Sequence, residues 1–143
     1  MFLTEHAKLV RLNNAAAAGQ TTLTSTFSRA GYTHCLLIAL LGDVTATSVL
    51  ALTGKTGDDS GGSDAAAVSG AVADFTAGAS DADNKILAVD MMLDSKDYVT
   101  WTLARGTANA VVDGVFALLY NARTQPEANA DTTLLELARA VAR

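Results

Sequence analysis

The strongest constraint on the fold lies in residues 96–123. Tyr98, Val99, Thr100, Trp101, Thr102, Leu103 and Ala104 are rich in β-branched and aromatic side chains. They alternate: Val99, Trp101 and Leu103 point one way, Tyr98, Thr100 and Thr102 the other. A period of two is the signature of a half-buried strand. Arg105-Gly106-Thr107-Ala108-Asn109 reads as a reversal. Residues 110–121 then carry Val111, Val112, Val115, Phe116, Leu118, Leu119 and Tyr120, apolar on both faces as suits a central strand. The same residues also fit a helical stripe, but Gly114 and the valines favour the strand.

The upstream chain follows the same pattern. Residues 20–28 set Leu23, Ser25 and Phe27 against Thr22, Thr24 and Thr26, a strand with one wet face. Residues 32–41 form the most apolar strand, with His34, Leu36, Ile38 and Leu40 on one side and Cys35, Leu37, Ala39 and Leu41 on the other. Residues 48–55 and 85–93 supply two more. Residues 65–75 are ambiguous: alanine favours a helix, Gly70 and the valines a short strand. Turn signals such as Ala30-Gly31 and Gly42-Asp43 separate these runs. About seven strands, short turns and no clear long helix predict an all-β fold, an antiparallel β-sandwich of jelly-roll-like form.

The two ends break the pattern. Residues 1–19 read as an N-terminal arm, briefly helical, followed by a linker; 20–126 read as the sandwich domain and 127–143 as a C-terminal tail. In the tail, Thr133-Leu134-Leu135-Glu136 matches a capping box, and Leu134, Leu137, Ala138 and Val141 recur on one face. Arg139 and Arg143 suit the negative end of a helix dipole. These signals predict a short amphipathic helix, too short to stand alone, that lies either on its own domain or on a neighbouring subunit.

Composition narrows the function. Of 143 residues, 17 % are charged, below the roughly 25 % usual for globular chains, so the surface is either small or partly covered by partners. A net charge of −5 argues against a nucleic-acid binder, which needs Lys and Arg to neutralise phosphate. The opening residues lack the basic start and apolar core of a signal peptide. No apolar run reaches the ~20 residues that span a bilayer, so no membrane partner is expected. The single cysteine, Cys35, cannot form an internal disulfide and sits in an apolar strand as a small hydrophobe.

Catalytic patterns are missing. Gly54-Lys55-Thr56 resembles the end of a P-loop, but the glycine required five positions earlier is Val49, and Gly57-Asp58-Asp59 would repel phosphate. There is no G-x-S-x-G elbow, and His6 and His34 lie apart, one in the arm and one in a strand. Asp58, Asp59 and Asp64, and separately Asp81 and Asp83, offer oxygen ligands for calcium, but the Glu that closes an EF-hand is absent and solvated loops are the simpler reading. Trp101 would be a sugar platform if exposed, yet its alternation with Val99 and Leu103 assigns it to the core. No catalytic residue, cofactor site or metal site is assigned, and the chain is not expected to be an enzyme.

The order of parts is similar to a family of small tailed-bacteriophage head proteins, the capsid-stabilising (cement or decoration) proteins. The resemblance is carried by Leu3-Thr4-Glu5-His6-Ala7-Lys8, by the loop at residues 57–64, by residues 82–90, and above all by Arg105-Gly106-Thr107-Ala108-Asn109-Ala110-Val111-Val112-Asp113-Gly114. Tyr120-Asn121-Ala122-Arg123-Thr124-Gln125-Pro126 then resembles the family's Tyr-Gly-Ala-Arg-(two residues)-Pro ending, with Asn121 in place of the glycine. The likeness spans residues 1 to about 126 and does not cover the tail. It implies a jelly-roll-like sandwich, made in the host cytoplasm, that forms a dimer or trimer on the outer surface of the virion. There it would bind the major capsid protein and bridge capsomers, by multivalency rather than by one tight contact. On this reading Phe2, Leu3, Leu9, Val10 and Leu12 of the arm and Leu134, Leu137 and Val141 of the tail make the intersubunit contacts. The rival readings are a head–tail joining or tail-tube subunit and a carbohydrate-binding β-sandwich module.

Overall fold

The structure is a computed structural model that describes residues 2–123 and 135–142. After a 3-10 turn at Leu3–Glu5 come β1 (Ala7–Asn13), β2 (Ala16–Gly19), β3 (Leu23–Ser28), β4 (Tyr32–Val44), β5 (Val49–Gly57), β6 (Ala66–Thr76), β7 (Ile86–Met92), β8 (Tyr98–Gly106) and β9 (Ala110–Ala122). All pairings are antiparallel. The five-stranded sheet has the order β1-β9-β4-β7, with β2 also on β9; the four-stranded sheet has the order β3-β8-β5-β6.

The connectivity is that of one long hairpin rolled up. β1 and β2 pair with β9, β3 with β8, β4 with β7 and β5 with β6, the first strands with the last and so inward. Rolling brings β9 against β4 and β8 against β5, which closes both sheets. This is the jelly-roll arrangement, and it agrees with the fold class read from the strand pattern.

The core lies between the sheets and follows the alternation. Cys35, Leu37, Ala39 and Leu41 of β4 and Val115, Ala117 and Leu119 of β9 point inward, facing Leu50, Leu52, Val99, Trp101 and Leu103 of the smaller sheet. Trp101 is fully buried, and its Nε1 donates to Ser25 Oγ at 2.5 Å, so its polar edge is satisfied inside. That removes Trp101 as the exposed platform of a sugar-binding reading.

Two buried arginines hold the connections. Arg105 Nε donates to Thr21 O at 2.9 Å, Nη1 to Ala17 O at 2.9 Å and Ala110 O at 2.7 Å, and Nη2 to Thr21 Oγ1 at 2.8 Å. One guanidinium thus ties the β2–β3 crossover to the β8–β9 turn. Arg29 Nη1 donates to the carbonyl oxygens of Asp94 and, at 3.0 Å, Lys96, and so fastens the β3–β4 corner to the β7–β8 loop.

Two expectations change and one open stretch resolves. Residues 1–19 are not a free arm and linker: β1 and β2 extend the larger sheet along β9, because Val10 and Leu12 find room against the core. The ambiguous stretch 65–75 is strand β6, an edge where alanine's helix preference yields to ladder hydrogen bonds with β5. Residues 135–142 form no helix; Arg139 instead donates from Nε to Thr4 Oγ1 and from Nη2 to Thr4 O, both at 2.9 Å. A segment of that length has little helical stability of its own, so a tertiary contact decides its path. The expected cap at Thr133 lies outside the described residues.

Candidate functional site

The residues that set this molecule apart lie on the outside of the larger sheet. A strand apolar on both faces belongs in the middle of a layered fold. Yet in a two-layer sandwich only one face of each sheet looks inward. The alternation of β4 and β9 therefore turns Leu36, Ile38 and Leu40, with Phe116 and Leu118, outward. The register extends the surface sideways in rows. Leu9 of β1, Leu118 of β9, Leu36 of β4 and Asp90 of β7 form one; Arg11, Phe116, Ile38 and Ala88 form the next. Ile86 and Met92 complete it on β7, 60 % and 70 % exposed.

The smaller sheet shows what a wet outer face looks like in the same protein. There the outward row positions are Thr24, Thr102 and Thr53, then Thr26, Thr100 and Lys55. Thr26 and Thr100 hydroxyls hydrogen-bond at 2.7 Å across the strands. Threonine satisfies both β propensity and water. The aliphatic choice on the other sheet satisfies only the first, at a solvation cost of about 1.5–3 kcal/mol for each large side chain left fully in water. Between β1, β9 and β4 the face opens into a cleft of about 370 Å³, walled by Leu9, Arg11, Leu40, Gly114 and Phe116.

One end of the face is polar. Tyr120 donates its hydroxyl to Asp90 Oδ1 at 2.6 Å, and that bond, aided by burial, pushes the phenol up to about 12. The His34 ring lies 4.9 Å from that of Tyr120, with Nδ1 2.8 Å from Thr33 Oγ1 and 3.3 Å from Asn121 Nδ2. Thr33 Oγ1 also donates to the Asn121 carbonyl at 2.6 Å, so these groups hold one another. Cys35 points into the core, where desolvation and then the Asp90 charge push its thiol up to about 12, far from a reactive thiolate.

The acidic loops are occupied by their own backbone. Asp64 accepts from the amides of Asp58 and Asp59 at 2.9 and 3.0 Å, and Asp59 Oδ2 accepts from Gly61 and Ser63 at 3.0 and 2.9 Å. Those amides hold both carboxyls below the usual range. Asp81 and Asp83 likewise accept from the amides of Gly78 and Val44. Among the described residues no group of three His, Cys, Asp or Glu side chains converges as metal ligands would.

The residues expected to bind partners separate into three groups. Val10 and Leu12 pack against the core. Leu9 joins the outer face of the larger sheet. Phe2 is half-buried, Leu3 is 65 % exposed, Leu137 is half-buried and Val141 is exposed; the Arg139–Thr4 bonds join the two chain ends that carry them. Leu134 lies outside the described residues. Reasoning from the sequence passed over Leu36, Ile38, Leu40, Ile86, Met92, Phe116 and Leu118. Their signal is the double apolarity of residues 32–41 and 110–121, which a central strand explains equally well.

No family model matches the chain, and no curated protein matches it significantly. Among solved structures, one from desmodium yellow mottle tymovirus aligns over 85 % of this chain and 90 % of its own, at 13 % identity and a TM-score of 0.36. A likeness of that size leaves fold and function to be argued from the chain's own residues.

Proposed function

We propose that the protein is a structural component of a virion, a cement protein without catalytic role that binds the outer surface of the major capsid protein shell and bridges neighbouring capsomers. The colinear resemblance across residues 1 to about 126 supports this reading. The observation that carries the reading is that, among the described residues, apolar side chains face solvent in more than one place, among them the outer face of the larger sheet and the joined chain ends. A protein that links others needs more than one such surface, and several modest contacts made together dissociate slowly. Leu3 and Val141, at the ends, are the residues assigned to the shell.

The test is electron cryo-microscopy of the parent virion, together with binding of the full chain to shells of the capsid protein. Density for this sandwich between capsomers is expected on the outer surface, and Leu3→Asp with Val141→Asp should reduce occupancy while the fold persists. A virion whose shell lacks the protein, or carries it only where head meets tail, overturns the proposal.

A further inference from the structure

We propose that the outer face of the five-stranded sheet is the seat of a second copy of this chain, related by a two-fold axis that runs along the strands. Ile86 of each copy fills the cleft over β1 and β9 of the other. The register supports this pairing. Ile86 lies opposite Leu40, and Leu40 opposite Gly114, so Ile86 and the cleft share a row while standing on opposite sides of the sheet's midline. A two-fold axis along the strands exchanges β7 with β1 and β4 with β9 and leaves the row unchanged. The exposed side chain and the space for it therefore coincide, twice over, as an isologous interface requires.

Charge and area agree with this occupant. The same operation carries Asp90, on β7, over Leu9 of the other copy's β1, two residues (~7 Å) along the strand from Arg11, so an acidic group on one rim runs beside a basic one on the other. Four strands at ~4.8 Å and seven residues at ~3.4 Å give a flat patch of roughly 19 by 24 Å. Protruding side chains raise its accessible area, and two such patches bury on the order of 1,000 Å², the lower bound for a specific dimer. Two sheets laid face to face at about 10 Å would make the pair a continuous four-layer stack. A partner of unrelated shape would have to supply both the knob and the hole. The inference holds whether or not the virion reading does.

Sedimentation of the full chain across concentrations tests it. A dimer that dissociates on dilution is expected, and Ile86→Asp should weaken it at least about tenfold. Val72→Asp, on the outer face of the other sheet, should leave it unchanged; thermal melts confirm that each variant is folded. Should Ile86→Asp fail to fold, Met92→Asp takes its place. The register is tested by mixing Ile86→Cys chains with Arg11→Cys chains and adding a short bis-maleimide, since buried Cys35 does not compete. Mixed cross-links should exceed those of either variant alone. A chain that is monomeric at every concentration, a dimer indifferent to Ile86→Asp and Met92→Asp, Ile86→Cys chains that link chiefly to one another, or a face protected only by added capsid protein overturns the proposal.

Discussion

At the scale of single residues, the chain uses side chains against their usual habits. Arg105 reads as the polar start of a turn, yet it is buried with four hydrogen bonds to neutral acceptors. Removing it strands the carbonyls of Ala17, Thr21 and Ala110. Arg105→Ala should cost about 2–4 kcal/mol in chemical denaturation, and Arg105→Lys nearly as much, because an ammonium cannot span all four acceptors. Sequence could not show this, since an arginine's burial depends on carbonyls more than eighty residues away along the chain. Asn121 is the opposite case. Its φ of 56° is a left-handed conformation that glycine and asparagine share, so it is a conformational match for the glycine the resemblance leads one to expect. Cys35 gives a pH prediction. Its folded pKa of about 12 exceeds the unfolded 9.0, so its contribution to stability is complete below pH 9 and is lost as pH rises towards 12. Thiol reagents at pH 8 should leave it untouched until denaturant is added, and Cys35→Ala should flatten the alkaline fall in melting temperature. Rapid labelling of the native protein would contradict this.

At the scale of elements, alternation was the legible quantity. The inward and outward sets of β3, β4, β5 and β8 follow from a period of two alone, because each strand has one face in the core. What alternation does not encode is which outer face stays dry. β1 reads as part of an arm and β6 as ambiguous, being edge strands, one mixing lysine and arginine with aliphatics and one rich in alanine, whose strand character comes from the neighbour they pair with. The loop between β5 and β6 offers oxygen ligands in sequence, although solvated carboxylates are the simpler reading there, because spacing cannot show that its carboxylates are already used. Chelators should therefore leave the melting temperature unchanged, while Asp64→Ala should lower it by releasing the amides of Asp58 and Asp59. The lowered pKa values of Asp59 and Asp64 give the acid behaviour. Their stabilisation is present above the ordinary aspartate pKa of 3.8 and is lost as pH falls through the depressed folded values. The amide resonances of Gly61 and Ser63 should hold their positions down to that range; movement between pH 4 and 6 would sink the assignment.

At the scale of the whole molecule, a rolled hairpin makes the first strand depend on the last. β1 and β2 meet β9 only after the chain has closed on itself, so the start of the chain is a structural part of the larger sheet and not a detachable arm. Val10 and Leu12 each contribute about 1–2 kcal/mol of partial burial, and the β1 ladder would leave the β9 edge bare. Deleting residues 2–13 should thus remove roughly 3–5 kcal/mol, a large share of the 5–15 kcal/mol typical of a domain. The melting temperature should fall by about 10–20 °C for a chain of this size. Deleting only residues 2–5, the turn before β1, should spare the fold and act on shell binding alone. The contrast between the two truncations separates stability from docking, which a single truncation would confound. If the longer deletion melted like the full chain, β1 would be an accessory to the sheet, and the rolled hairpin would begin at β2.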